Sequence, residues 1–559
     1  MGSPKIVIVG GVAGGASAAA KARRCSEDAE IIMYEKGPDI AYANCGLPYY
    51  LSGVIRDRKN LLIVTEERFQ RRFRVDVRTR REVVRIDRGR KVVMAQHVEK
   101  GTMEEESYDR LILSPGSSPL IPPLPGVDLP FVFTFKTLED MDRVYHYLQE
   151  RRPQQAVIVG GGLIGMEVME NLELKGVKVS IVEKLDQILP FLDWDMAELI
   201  RQHAEAKGVK FHLSQGLKAI ERRNDSGLVH TEAGHTLKAD LVVLSLGIRP
   251  NVALAKEAGL EIGQTGGIKV NEFMQTSDSD IFAAGDCVES IHRVTGKPFL
   301  TPMGSAANKE GRAAGANVLG RKIAVKGFVG TVILKVFDLT VAKTGLSEGE
   351  ARREGFDPLV TFIHPGHIAG YYPGSKPLHM KTITDSASGQ LLGGQVIGEE
   401  GVDKRIDVLA TAIYHRMELE ELLQLDLAYA PPYSAARDPV VIAGAIGQNF
   451  FQGDWVPITP TELKGKIEGR ENLAIIDVRT RKECTEEGTI PGAVHIPLDR
   501  LRDEINRFDN NRETVVYCAT GLRSYLATRI LMQRGFTRVR NLTGGTMSWV
   551  YPLQKDGTG

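Results

Sequence analysis

Twice in this chain an apolar strand runs straight into a glycine turn and then a helix. Lys5 to Gly10 is a β-branched run ending in glycines, Ala16 to Arg24 reads as a helix of small residues, and Ile31 to Glu35 reads as a second strand. The pattern recurs at Ala156 to Gly160, Gly165 to Leu174 and Val177 to Glu183. Two βαβ units of this kind predict two nucleotide-binding domains rather than a repeat array. In the second unit, Gly160-Gly161-Gly162-Leu163-Ile164-Gly165 follows a strand and opens a helix. Glycines there permit a tight turn, backbone N–H groups approach a pyrophosphate, and the helix N-terminus adds partial positive charge. Glu183 ends the next strand about twenty residues on, where a carboxylate can bind a ribose 2′-OH. A purely structural glycine turn is the competing reading; strand, helix and acid in place together favour the dinucleotide. The first unit is less regular. Gly10 and Gly15 fill the outer glycine positions, Val12 takes the middle one, and Glu35 again supplies the acid.

At 559 residues the chain exceeds one domain, and about 150 residues per domain gives three to four. Lys+Arg and Asp+Glu are equal at 71 each, so no overall charge points to nucleic acid or an anionic membrane. No apolar run approaches the roughly 18–20 residues of a membrane span. The first strand begins too early to leave room for a signal peptide. Five widely spaced cysteines (25, 45, 287, 484, 518) argue against a disulfide framework and for a reducing cytoplasm. No cysteine–histidine spacing suits zinc, so no metal is expected. After about residue 325, strands at Phe328–Phe337, Leu359–Ile363, His379–Thr384 and Leu391–Ile397 and a helix at Asp403–His415 predict a third domain. Gly444 to Pro460, rich in Gly and Pro, reads as a linker. A new α/β pattern follows, with strands at Ala474–Val478 and Val515–Cys518 and a helix at Ser524–Arg534.

Two further segments identify the first unit. Leu111 to Gly116 is an apolar strand ending in a tight turn, and Ile281-Phe282-Ala283-Ala284-Gly285-Asp286 is a strand ending in an acid. Together with the glycine loops they resemble the two-dinucleotide-binding-domain flavoprotein reductases over roughly residues 4–445. That resemblance implies FAD on the first unit, with Glu35 on its ribose and Asp286 on its ribitol chain. It implies NADH (or NADPH) on the second. It gives a cofactor-binding set of Gly10, Val12, Ala13, Gly15, Glu35, Lys36, Pro115, Gly116, Asp286, Gly160, Gly162, Gly165, Glu183 and Gly247. The expected fold is α/β: two Rossmann-like dinucleotide-binding domains of three-layer architecture, an α+β dimerisation domain and a C-terminal α/β domain. The expected spans are 1–115 and 246–325 for FAD, 116–245 for the nicotinamide nucleotide, 326–445 for dimerisation, 446–460 as linker and 461–555 for the last domain.

Many such reductases carry a CxxxxC disulfide beside the flavin. Here Tyr42-Ala43-Asn44-Cys45-Gly46-Leu47-Pro48-Tyr49-Tyr50 holds one cysteine, with tyrosine at position 50. A lone cysteine there must couple to an external sulfur or oxygen, by mixed disulfide or sulfenic acid. An inert buried cysteine is the alternative. The stretch from Asn44 to Pro48 resembles the coenzyme A-disulfide reductase branch. Related NADH peroxidases and oxidases place a histidine in the first glycine loop, and this chain has Val12-Ala13-Gly14 and no histidine before His97. His367 to Gly374 and Tyr429 to Ser434 also resemble that branch, which implies a homodimer in which Tyr371 and Tyr429 assist the partner's sulfur chemistry. Tyr372 and Tyr433 are the neighbouring candidates. Coenzyme A is implied as substrate or bound ligand, its phosphates met by Lys21, Arg24, Arg71 and Arg72, with Tyr433 beside it.

Residues 473–549 resemble rhodaneses. The resemblance rests on Ile476-Asp477-Val478-Arg479, Glu483, Gly488 to Val494, Cys518-Ala519-Thr520-Gly521-Leu522-Arg523-Ser524, Leu542 to Gly545 and Trp549. Cys518 ends a strand and precedes a helix, so loop N–H groups converge on its sulfur, and with Arg523 they favour a thiolate and then a persulfide. Cys25, Cys287 and Cys484 read as structural. The combined reading is an FAD-dependent NAD(P)H reductase of CoA disulfide, CoA persulfide or polysulfide, using Cys45 with Asn44 beside it and coupled to a sulfurtransferase domain. The alternatives are an NADH oxidase or peroxidase, and a reductase whose C-terminal domain is a silent docking module.

Overall fold

The computed structural model describes residues 3–224 and 226–555. The chain divides into two compact units, Met1–Ile188 with Lys207–Phe328, and Leu189–Ala206 with Val329–Gly559.

In the first unit, strand Lys5–Val9 lies at the centre of a five-stranded sheet. The order runs Ile281–Ala283, Arg110–Leu113, Lys5–Val9, Glu30–Tyr34, Asp76–Arg78. All four pairings are parallel. A parallel sheet is covered on both faces, which is why its inner strands read as continuous apolar runs. One cover is a pair of helices, Ala13–Cys25 and Gly304–Asn317. Their backbones nearly touch: a Cβ on Gly311 would stand 2.2 Å from Gly14 O, and one on Gly315 2.2 Å from Ala18 O. Only glycine permits that approach at these two positions, and both helices are rich in Gly and Ala. A three-stranded antiparallel sheet, Arg81–Asp87, Val92–His97 and Met103–Ser107, forms a further layer. Arg23 is buried at the end of the first helix. Its guanidinium donates to Ser26 O, Glu27 O, Ala29 O, Phe73 O and Arg74 O, tying that helix to the end of helix Glu66–Phe73.

The architecture is repeated within the same unit. A second parallel sheet runs Lys210–His212, Lys178–Val182, Gln155–Val159, Leu241–Leu244, Val132–Thr134. It has its own three-stranded antiparallel companion. The chain passes from the first fold to the second at Ser117–Pro119 and returns at Ile248–Pro250, and these two short strands pair with each other.

The second unit contains a five-stranded antiparallel sheet, in the order Val332–Val336, Leu339–Gly345, Leu391–Gly398, Leu378–Asp385, Pro358–Ile363. Helix Val402–Tyr414 lies on it, with Leu409 where a Cβ on Gly394 would be. The C-terminal sheet is parallel: Pro457–Ile458, Val539–Leu542, Glu513–Tyr517, Leu473–Asp477, Ala493–His495. The stretch 446–460, expected as a linker, is mostly ordered structure. Helix Pro439–Phe451 crosses its start, strand Pro457–Ile458 already belongs to the C-terminal sheet, and helix Pro460–Glu468 begins at its end. Two glycines of helix Pro439–Phe451 serve close packing. A Cβ on Gly444 would lie 2.4 Å from Leu423 N, and one on Gly447 2.6 Å from Leu419 Cδ2.

Helix Trp194–Ala206 is drawn into this second unit by charge. Lys381, wholly buried, reaches Asp193 (3.1 Å), Asp195 (2.9 Å) and Glu348 (3.1 Å). The carboxylates hold the lysine's pKa above its ordinary value against the opposing effect of burial. Removing one member of a buried ion cluster leaves the rest uncompensated, at a cost of about 3–5 kcal/mol. Lys381→Met should therefore bring the calorimetric unfolding of this unit to a clearly lower temperature, and Asp195→Leu added to it should recover part of the loss. An unmoved transition in the single variant would show that the cluster does not hold the segment.

Candidate active site

The two glycine turns are near-copies. Gly10 N–H donates to Tyr34 O and Gly160 N–H to Val182 O, both at 2.8 Å. Gly11 N–H donates to Glu35 Oε2 and Gly161 N–H to Glu183 Oε2, both at 2.7 Å. Gly37 and Leu185 N–H reach the other oxygen of each acid at 2.8 Å. Gly10 and Gly160 adopt φ of +96° and +108°, and a Cβ on either would strike the carbonyl of Ser114 or Ser245. Gly15 and Gly165 face the carbonyls of Gly10 and Gly160 too closely for any side chain. Space in front of Gly162 is open to 4 Å. A glycine cradle, a helix start and an oriented carboxylate fit a dinucleotide at each turn. Val12 stands at the N-cap of the first helix, so the departure from glycine leaves the turn intact. Burial raises the Glu35 pKa, and the Gly37 and Gly11 amides, with exposed Lys36, oppose it. Pro115 and Gly116 lie in the crossover, where their carbonyls accept from Asn251. Gly247, with φ of +98°, accepts from Leu120 N–H at the return.

Cys45 sits in a 3-10 turn, Asn44–Gly46, just before helix Leu47–Ser52, and is exposed. Gly46 packs closely against the Leu61 side chain, which a Cβ would meet at 2.7 Å. Asn44 Nδ2 donates to Lys136 O, and Lys136 Nζ pairs with Asp286 at 2.9 Å, where Ser117 Oγ also donates. Although the residue reaches the surface, partial desolvation of its sulfur pushes the Cys45 thiol pKa up, the Glu167 charge adds to this, and Lys136 opposes it. Glu167 and Tyr49 escaped the sequence reading. Glu167 follows the second glycine turn on helix Leu163–Glu173 and is hydrogen-bonded to Tyr49, four residues after Cys45. Burial, with Glu170 beside it, raises Glu167 to about 7. The spacing after the glycine turn marks a residue near the nucleotide; only the packing of the two helices brings it to the cysteine.

In the second unit the hydroxyls of Tyr371 and Tyr429 meet at 3.2 Å, with the side chains 76% and 49% exposed. Of the four candidate tyrosines, these two form the hydrogen-bonded pair. A buried network holds the two loops. Arg405 Nη2 donates to His367 O (2.8 Å), Ser434 Oγ (3.1 Å) and Asp438 Oδ2 (2.8 Å), and Ala369 N–H donates to Ser434 O. Asp438 also caps helix Pro439–Phe451 through Val440 N–H. Tyr433 is exposed.

Cys518 directly follows strand Glu513–Tyr517 and is buried. Its sulfur accepts from Gly521 N–H at 3.1 Å and Ser524 Oγ at 3.5 Å, donors suited to an anionic sulfur. Gly521, with φ of +105°, opens helix Leu522–Gln533. The turn 545–547 braces the loop from behind, with Thr546 N–H on Cys518 O and Met547 N–H on Ala519 O. That turn rests on the antiparallel sheet: Phe362 N–H donates to Thr543 Oγ1, and His364 lies against Gly544. His364 is buried with no partner at either ring nitrogen, and burial drives its pKa well below the ordinary range, so it stays neutral. Arg523 forms a two-pronged pair with Glu483 and lies within hydrogen-bonding reach of the Cys518 sulfur. Cys484 donates to Asp477 and is pushed up to about 12 by burial, and Cys287 is fully enclosed. Both suit structural roles. Of the basic residues expected for coenzyme A, Lys21 and Arg24 lie on helix Ala13–Cys25, and Arg71 and Arg72 on the helix tied to it by Arg23. Arg24, Arg71 and Arg72 are exposed. Among the described residues, no cluster of three or more His, Cys, Asp or Glu is arranged for a metal, and no helix is long and apolar enough to cross a membrane.

Family models match in three places: the pyridine nucleotide-disulphide oxidoreductase over residues 4–305, its dimerisation domain over 331–440, and the rhodanese-like domain over 459–551. The chain is 40% identical to the reduced CoADR-RHD of Bacillus anthracis, with 98% of each chain covered and a TM-score of 0.94. It is 38% identical to a NAD-dependent persulfide reductase of A. fulgidus, covering 98% of this chain and all of that one, with a TM-score of 0.91. Two curated relatives lack an equivalent of the last domain's length. A NADH oxidase of Methanocaldococcus jannaschii is 35% identical over 78% of this chain and 97% of its own. A coenzyme A disulfide reductase of Staphylococcus aureus is 34% identical over 79% and 99%.

The Glu167 charge disfavours the Cys45 thiolate, so Glu167→Gln should lower the pH midpoint for alkylation of Cys45 by iodoacetamide, with the rate at neutral pH rising several-fold. An unchanged profile would show that the two groups do not communicate.

Proposed function

Because the chain belongs to the pyridine nucleotide-disulphide oxidoreductase family, we propose that it is an FAD-dependent, NADH-driven reductase of CoA-linked sulfur, acting on CoA disulfide, CoA persulfide or polysulfide and coupled to a sulfurtransferase domain. The observation that carries this is the solitary Cys45. All five cysteines are free, and Tyr50 stands where a second redox cysteine would be, so the other sulfur must come from the substrate.

The Cys45 thiolate attacks the substrate S–S bond. That bond breaks, a Cys45–S–S–R bond forms, and one thiolate or hydrosulfide leaves. The Cys45–S–S–R bond is then cleaved by two electrons, which FAD and NADH would supply when bound, so that R–S⁻ leaves and the Cys45 thiolate is restored. Glu35 and Glu183 orient the two nucleotides' riboses, and the glycine turns admit their phosphates. Lys136 offsets negative charge near the sulfur, and Glu167 with Tyr49 can hold a proton beside it. The Tyr371–Tyr429 pair protonates a departing thiolate on the partner subunit of a homodimer, for which the dimerisation domain provides the interface. Arg24, Arg71 and Arg72 receive the phosphates of coenzyme A. At the C-terminal domain Cys518 carries sulfane sulfur as a persulfide, which favours persulfide and polysulfide over plain CoA disulfide as the working substrates.

Cys45→Ser should lower reduction of every CoA-linked sulfur substrate by about a thousandfold or more while FAD stays bound and NADH still bleaches it. Turnover of the serine variant at the normal rate on CoA persulfide would sink the mechanism. The same assay with peroxide and oxygen as acceptors tests the oxidase reading suggested by the Methanocaldococcus relative. The Glu183 carboxylate would repel a 2′-phosphate, so kcat/KM for NADH should exceed that for NADPH by about tenfold or more. A preference for NADPH would overturn that assignment.

A further inference from the structure

The sulfur loop carries a charge balance that bears on which donors it accepts. Between Cys518 and Ser524 the only ionisable cation is Arg523. Its two terminal nitrogens are both engaged by one carboxylate, Nη1 on Glu483 Oε2 at 2.8 Å and Nη2 on Glu483 Oε1 at 2.6 Å. Glu483 is held in place from its other side: its Oε2 also accepts from Thr480 N–H and Oγ1, closing the capping box of helix Arg481–Glu487. Arg523 and Thr480 hold its pKa down to about 2, so it is ionised at any working pH. Two other arginines of the domain are also held by acids. Arg479 is buried against Asp477 and Glu487, and Arg529 pairs with Asp454. The sulfur accepts from two neutral donors, Gly521 N–H and Ser524 Oγ, and the cation within its reach, Arg523, is already paired with Glu483. Leu522, which begins the helix behind the loop, is 65% exposed.

A donor such as thiosulfate brings two negative charges on the group bonded to the sulfur being transferred, and expels a sulfite dianion. It needs a free cation at the loop. An organic persulfide R–S–S⁻ brings a single charge and an apolar stem. We infer that Glu483 is a specificity-determining residue of the sulfurtransferase site: by occupying both prongs of Arg523 it sets the loop against inorganic dianionic donors and for persulfides of low charge near the sulfur. This rests on the sulfurtransferase reading of Cys518. In the favoured step the Cys518 thiolate attacks the terminal sulfur of R–S–S⁻, the donor S–S bond breaks, R–S⁻ leaves and Cys518–S–S⁻ forms, with no net oxidation. Cyanide then accepts the terminal sulfur as thiocyanate and restores the thiolate.

The test uses the full-length holoenzyme, with thiosulfate and N-acetylcysteamine persulfide as separate donors. Loading is read as the gain of one sulfur on Cys518 by intact mass, and turnover as thiocyanate release. Glu483→Gln keeps an amide oxygen for the capping box and frees Arg523. It should raise the ratio of thiosulfate to persulfide kcat/KM about tenfold, the effect of roughly 1.4 kcal/mol of restored charge attraction. NADH-driven reduction of CoA disulfide, which runs at Cys45, should not change. Adding Arg523→Gln should abolish the thiosulfate gain, showing that it runs through the freed guanidinium. Equal use of both donors by the unaltered protein overturns the inference, and so does an unchanged ratio in Glu483→Gln. If neither donor loads Cys518, the sulfurtransferase reading falls, and the specificity inference with it; if both load it equally, only the latter falls.

Discussion

Both nucleotide folds hang on a clasp between a backbone amide and a carboxylate. In each, the second glycine of the turn donates to an acid at the end of the neighbouring strand, at 2.7 Å in both cases. The clasp fixes the turn against the strand, aims the acid at the place a ribose would occupy, and leaves the helix start facing outward. It works only if the backbone comes within hydrogen-bonding distance, and that closeness explains the glycines around it. Gly10 and Gly160 make room for a neighbouring carbonyl, and Gly15 and Gly165 make room for the turn itself. A side chain at any of the four would open the clasp. Position 12 is outside this requirement, which is why valine stands there in the first turn without disturbing it.

The chemistry is placed next to these clasps and held by a second kind of device, the buried charge network. Cys45 follows the first clasp in sequence and meets Glu167 from just past the second, so the residue that bears on its thiol belongs to the other nucleotide fold. In the second unit Arg405 and Asp438 join the loops that carry Tyr371 and Tyr429, and without them two exposed tyrosines would have no fixed relation. Lys381 and its three carboxylates do the same for helix Trp194–Ala206. Neither buried cation is left without a counter-charge: Arg405 meets Asp438, and Lys381 meets three carboxylates. An incomplete network would cost several kcal/mol, and this ties the loops to the integrity of the core.

The C-terminal domain places two neutral donors on its sulfur and pairs the nearest cation, Arg523, with an acid. Its loop is braced by a turn that leans on the antiparallel sheet through Thr543 and Gly544, with a histidine kept neutral beneath it. A charged imidazole there would have no counter-ion, so the contact is one of shape and backbone hydrogen bonding. The segment joining the two domains is correspondingly short. Helix Pro439–Phe451 packs its glycines onto residues 419–424 and the next strand begins at Pro457.

What the sequence by itself determined are the features written in local order. The βαβ units, the acids at their strand ends, the solitary Cys45, and the strand–loop–helix around Cys518 need only neighbours in the chain, because period, glycine spacing and cap chemistry act over a few residues. Tertiary structure decided what depends on partners far apart in sequence. Glu167 reaches Cys45 across more than a hundred positions because helices Leu47–Ser52 and Leu163–Glu173 pack together. Tyr371 and Tyr429 are preferred over Tyr372 and Tyr433 by resemblance, but the contact between their hydroxyls joins positions far apart in sequence and exists only in the fold. The glycines of 444–460 look the same whether they loosen a linker or admit a packed neighbour, and only the neighbour decides which. Arg523 reads as a free cation beside a thiolate until Glu483, forty residues earlier, closes on it. Pairings of that kind arise from loop closure and burial, and a one-dimensional pattern carries no record of either.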